Sequence, residues 1–183
     1  MDFKTKPITR AEIRRIAKVF KSWLNLNGVT PFPILLTLEK LCTLIDNFNY
    51  SIIEDKEWDK QYEESPSMVC YSENEFNIKI KESVYIKASK YKDGASRMHI
   101  AHEISHFILL KNGFVPVDDV VWENNSLPNY ESAEWQAKAL ACEILVDIDS
   151  IGIMSTEELM KKNQISRSAA EYITKNLINH SQQ

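Results

Sequence analysis

The chain has no apolar run of the roughly eighteen residues that a membrane helix needs, which excludes an integral helical membrane protein. Its start, MDFKTKPITRAEIRR, lacks both an apolar core and a small-residue cleavage site, so a secretory signal peptide is not expected. Cysteine is scarce: Cys42, Cys70 and Cys142 are odd in number, scattered, and in no CxxC pair. That excludes a disulfide framework, fits a reducing cytoplasm, and leaves each cysteine as a small buried apolar side chain. Surplus positive charge is also missing. With 22 basic and 26 acidic residues the net charge is −4, which argues against bulk nucleic-acid binding. Linkers rich in Gly or Ser and internal repeats are absent too. What is present, 44% apolar and 26% charged residues over 183 positions, is the composition of a soluble globular protein, read as one compact α+β domain.

Residues 1–49 read as helical. Thr9 and Glu12 have capping-box spacing, and Ile13, Ile16, Ala17, Phe20 and Leu24 recur on one helical face. Asn27-Gly28 marks a stop, and a second helix is expected from about Ile34 to Phe48. Arg10, Arg14, Lys18 and Lys21 form a basic stripe on the first helix, expected to be a solvated face. Between Tyr50 and Lys90 the pattern shortens to Ser51-Ile52-Ile53, Met68 to Tyr71, Asn77 to Ile80 and Ser83 to Lys87, which predicts a small, partly antiparallel sheet of three or four strands. The acidic run Glu54 to Glu64 reads as a surface connection or short exposed helix. Residues 95–111 form the clearest helix, closed by Asn112-Gly113. A looser stretch with Pro116 and Pro128 follows, then a helix from about Tyr130 to Val146 with Asn129 as a possible N-cap. Ser155 and Glu158 open a C-terminal pair of short helices parted near residues 163–166.

The chemistry sits in His102-Glu103-Ile104-Ser105-His106. Histidines at i and i+4 stand one above the other on a helix, so both imidazoles can reach one ion, and the intervening glutamate can take a proton from a water on it. From Met98 to Leu110 the only ionisable side chains are His99, His102, Glu103 and His106, in an otherwise apolar sequence. A helix buried nearly all round cannot carry such a cluster cheaply without a partner, and a metal ion supplies one. His106 is not followed by Gly-x-x-His, so a third ligand must come from elsewhere. His99 and His180 are the remaining histidines, and a carboxylate on the following helix is the better candidate.

Arg97-Met-His-Ile-Ala-His-Glu-Ile-Ser-His, followed by Glu134-Trp-Gln-Ala-Lys-Ala-Leu-Ala-Cys-Glu-Ile-Leu-Val, resembles the ImmA/IrrE family of metallo-endopeptidases over roughly residues 50–175. That family pairs an R-F-T-x-A-H-E-x-x-H helix with a downstream E-x-x-A-N-x-F-A-x-x-L-L-M-P helix. By position, the resemblance implies that His102 and His106 are zinc ligands, Glu103 the catalytic base and Glu134 the third ligand. Glu131, one turn earlier, is a rival to Glu134, whose register fits Ala137 and Ala141 better. Met98 and His99 replace the family's Phe and Thr, Lys138 and Leu140 its Asn and Phe, and Val146-Asp147 its Met-Pro.

The resemblance implies a zincin-like core at residues 50–150, with a small, mostly antiparallel sheet packed against the HExxH helix and a second ligand helix. Helical segments at 1–49 and 151–183 flank it. The implied protein is a cytoplasmic, Zn²⁺-dependent endopeptidase that cleaves a helix-turn-helix repressor encoded nearby, releasing mobile-element or stress-response genes. Tyr130, His99, Arg97 and Tyr172 are candidate oxyanion stabilisers or supports of the ligands. Asp118 and Asp119 can orient a ligand histidine or form a solvated loop pair. The alternative function is a catalytically silent zinc protein that binds a repressor or a toxin–antitoxin partner. Residues 155–175 carry few basic side chains, so those helices are expected to pack and not to bind DNA.

Overall fold

A computed structural model describes residues 2–62, 66–72, 75–123 and 126–175. Its elements, in chain order, are β1 (Asp2–Thr5), α1 (Arg10–Trp23), α2 (Ile34–Leu44), β2 (Phe48–Ile53), α3 (Asp55–Gln61), β3 (Ser67–Ser72), β4 (Glu75–Lys81), α4 (Glu82–Lys90), α5 (Gly94–Lys111), β5 (Pro116–Trp122), a 3-10 turn (Asn129–Glu131), α6 (Ala133–Leu145), α7 (Thr156–Asn163) and α8 (Arg167–Ile173). The fold is α+β. Among the described residues no helix is long and apolar enough to cross a membrane.

The helical reading of the N-terminus omits β1. Four residues are too few to show a period, and this strand exists through its partner: it runs antiparallel to β5, with Phe3 opposite Val121. The same pairing orders part of the stretch read as loose after Gly113. Asp118 and Asp119 therefore lie in a strand and not in a loop. Their side chains lie outside the described residues, as do Ser65, Glu73, Asn74 and His180.

The second sheet has the order β2-β4-β3, with β2 parallel and β3 antiparallel to β4. It is mixed, so two of the three strand pairings in the two sheets are antiparallel. Ser83 to Lys87, read as a strand, belongs to helix α4, which buries Val84 and Ala88 and leaves the β-branched Ile86 only half-covered. Lone apolar runs do not separate strand from helix. The acidic run does hold a short helix, α3, but it is anchored by a fully buried Trp58.

Strand β4 alternates cleanly, burying Phe76, Ile78 and Ile80. On the same side Phe107 of α5 sits edge-on to Phe48 and Phe76, with ring centroids 4.7 and 4.8 Å away. One continuous cluster of buried side chains runs from Ile8 to Ile173 and draws on all three stretches of the chain. Helix α2 stops at Leu44, and Phe48 begins β2 instead of ending the helix. Cys142 is buried, whereas Cys42 and Cys70 are only partly covered, contrary to the reading of all three as buried.

Helix α1 keeps the Thr9–Glu12 capping box and its buried face. Its basic stripe is not a solvated face. Arg14 holds Glu143 at 3.1 Å and Asp149 at 2.9 Å, and Lys18 also pairs with Asp149. Lys21 is buried and donates to the Glu143 carbonyl at 2.9 Å, satisfying one of the free carbonyls in the last turn of α6. The stripe clamps α1 along α6.

Candidate metal centre

Helix α5 starts at an Asp93 cap, whose carboxylate accepts the Ser96 backbone N–H at 2.8 Å, and ends at Asn112 before Gly113. It is buried on most sides. The i,i+4 spacing brings the His102 and His106 rings to 4.6 Å, nearly perpendicular, with their Nε2 atoms 3.1 Å apart. The third group comes from the first turn of α6. Glu134 offers Oε2 to His102 Nε2 and Oε1 to His106 Nε2, each at 3.3 Å. Ligand atoms of these three residues lie within 4.8 Å of one another.

Hydrogen bonding alone accounts poorly for this triangle. A charge-assisted N–H to carboxylate bond closes to about 2.7–2.9 Å. Two imidazole nitrogens and a carboxylate oxygen within 4.8 Å of one another are a donor set that zinc takes. The donor set therefore fits a metal ion. Burial acts to raise the Glu134 carboxyl, but the hydrogen bonds and charges of His102 and His106 outweigh it and hold the group well below the usual carboxylate range. His102 Nδ1 is buried without a hydrogen-bond partner among the described residues, so no such contact sets its tautomer from behind.

The end of α6 that carries Glu134 is fixed by a residue from the other end of the sequence. Ser132 caps the helix by accepting the Trp135 N–H at 2.9 Å. Buried Asp2 of β1 then accepts the Ser132 hydroxyl at 2.5 Å and the Glu134 backbone N–H at 3.1 Å. A carboxylate here also complements the helix N-terminus. The cap is Ser132 and not Asn129, which lies in the 3-10 turn.

Glu103 is buried beside the two histidines, and Ser67 of β3 donates its hydroxyl to Oε1 at 3.1 Å. Burial pushes this carboxyl up, against the opposing effects of His102, His106 and Ser67. His102, Glu103, His106 and Glu134 all line one cavity of about 850 Å³ that runs along the surface of α5 and α6.

The other sequence-derived candidates divide. His99 and Tyr172 line this cavity. Arg97 does not: it is buried, its Nε donating to the Gln164 carbonyl at 3.0 Å and its Nη2 to the Phe32 carbonyl at 2.6 Å. It ties α5 to the turn between α7 and α8. Tyr130 is half exposed on the 3-10 turn, away from the cavity lining, and its backbone carbonyl accepts from Ile8 and Gln136. Glu131, the rival ligand, pairs with Lys4 at 3.1 Å and stands apart from the triangle. Sequence reasoning missed Asp2 and Ser67. Neither carries a local signal, because their contacts span 132 and 36 residues.

No family model matches this chain, and no curated protein matches it.

Proposed function

We propose that this chain is a zinc metallo-endopeptidase with a zincin-like core at residues 50–150, acting in the cytoplasm on a helix-turn-helix repressor. One observation carries the reading: two histidines and a glutamate bring one ligand atom each to within 4.8 Å of one another, and a second, buried glutamate adjoins them in the same cavity. When bound at His102, His106 and Glu134, a zinc ion supplies Lewis acidity, polarising a peptide carbonyl and acidifying a water.

The chain's own residues divide the remaining work. With Oε1 of Glu103 engaged by Ser67, Oε2 is the oxygen that takes a proton from the attacking water and later passes it to the leaving amine. Strand β3, at one edge of its sheet, contributes Ser67 and Met68 to the cavity margin, next to Pro66, and an extended peptide can lie alongside it. Of the sequence-derived candidates, His99 and Tyr172 line the cavity and can hydrogen-bond a developing oxyanion. The repressor as substrate rests on the resemblance of the two helix motifs to the ImmA/IrrE family.

The test is incubation of the zinc-loaded protein with the repressor encoded beside it. Cleavage is expected in the wild type, with loss on chelation and at least a hundredfold slowing in Glu103→Gln at full zinc occupancy. Binding of the repressor without cleavage overturns the catalytic reading in favour of a silent zinc protein.

A further inference from the structure

The cavity extends beyond the metal ligands on both sides. Towards α8 its lining changes character. Met98 lies one turn before His102 on α5, and Ala139 lies just over one turn after Glu134 on α6, so this wing begins about 6–7 Å along the helices from the ligands. That is the reach of a side chain attached next to a reacting carbonyl. Ala139, Cys142 and Ala169 form its nearly buried floor, and Met98, Trp135 and Tyr172 its half-exposed walls.

Two features set the chemistry of an occupant. The hydroxyls of Ser166 and Ser168 at the wing's margin hydrogen-bond each other at 3.1 Å, and the exposed Lys138 turns to Glu134 at 3.9 Å. These polar groups stand at the margin, and the floor and walls are aliphatic, sulfur-bearing or aromatic. The walls are also held in place. Arg10 of α1 lies over the rings of Trp135 and Tyr172, at 5.0 and 5.3 Å, and donates to the Tyr172 hydroxyl. A pocket fixed before binding loses less entropy when it is filled.

We propose that this wing is a specificity pocket for a bulky apolar side chain, aromatic or branched aliphatic, next to the bond that is cut. The assignment rests on the peptidase reading above and names its substrate preference. Small floor residues leave the volume, and the aromatic walls supply the contact.

Two metal-chelating probes test the pocket without relying on turnover. Acetohydroxamic acid presents the chelating group alone, and 3-phenylpropanohydroxamic acid adds a phenyl ring two carbons away. Calorimetry on the zinc-loaded protein is expected to show the phenyl probe binding about thirtyfold more tightly, the gain from burying one aromatic ring. Ala169→Phe fills the floor and Tyr172→Ala removes a wall, and each is expected to reduce that ratio to roughly threefold or less. Both variants lie on α8, one adding volume and the other removing it, so one remains informative if the other fails to fold. If acetohydroxamic acid binds but the ring adds less than about threefold in the wild type, or the ratio survives in a folded variant, the pocket is overturned while the metal site stands. If neither probe binds the zinc-loaded protein, the peptidase reading falls and the pocket with it.

Discussion

Glu134 and Glu103 share one cavity, yet their carboxyl groups are pushed in opposite directions. Glu134 faces two imidazoles that keep it ionised, as a ligand must be; Glu103 is buried and accepts the Ser67 hydroxyl. Glu131, one turn away in sequence, has neither environment because Lys4 takes its carboxylate. Glu134→Ala is therefore expected to lower zinc stoichiometry to near zero, and Glu131→Ala to leave it near one per chain. Elemental analysis after gel filtration in a zinc-buffered solution decides between them. At this scale the sequence reads unevenly. His102 and His106 are visible because i,i+4 spacing lies within one helix. Glu134 is visible only through the second motif. Asp2 and Ser67 are invisible, since nothing local marks a residue whose partner is brought in by the fold.

At the scale of elements, the helices that carry the ligands are fixed at their ends. For α5, Asp93 caps the N-terminus, and its hydrogen bonds from Ser96 hold the carboxyl below the usual range. A group with a folded pKa below its unfolded value stabilises the protein above the carboxylate range and loses that contribution as pH falls through the folded pKa. Asp93→Ala is expected to cost about 1 kcal/mol at pH 7, with the gap to wild type closing below about pH 4; urea denaturation across pH measures it. Next to this cap, a Cβ on Gly94 would lie 2.2 Å from the Ile165 carbonyl carbon and 2.6 Å from the Ser166 nitrogen. Backbone cannot yield as a flexible side chain does, so Gly94→Ala is expected to destabilise by about 2 kcal/mol or more, read from the same denaturation. Helix α1 was readable from its one-face spacing and capping box, and α5 from its long apolar run and the Asn112-Gly113 stop. Strands β1 and β5 were not, because their stability lies in a pairing across more than a hundred residues. The basic stripe of α1 was misread for a related reason: charge periodicity identifies a face but not what that face meets.

For the whole molecule, the His102–His106–Glu134 triangle joins α5 to α6, while α6 is already tied to β1 by Asp2 and to α1 by Arg14 and Lys21. Elements from the first 25 residues thus brace the helix that carries Glu134. An ion binding only the folded chain must stabilise this whole arrangement by mass action, by about 2.7 kcal/mol when free zinc stands at 100 times its dissociation constant. In a protein of this size that corresponds to a rise in Tm of roughly 5–10 °C. Thermal unfolding in zinc buffer against chelator is expected to show that shift in the wild type and to lose it in His106→Ala. Glu103→Gln keeps all three ligands, so it is expected to retain the shift while losing cleavage. A zinc-dependent rise that persisted undiminished in His106→Ala would place the ion elsewhere and remove the basis for assigning this centre, whatever activity the protein showed.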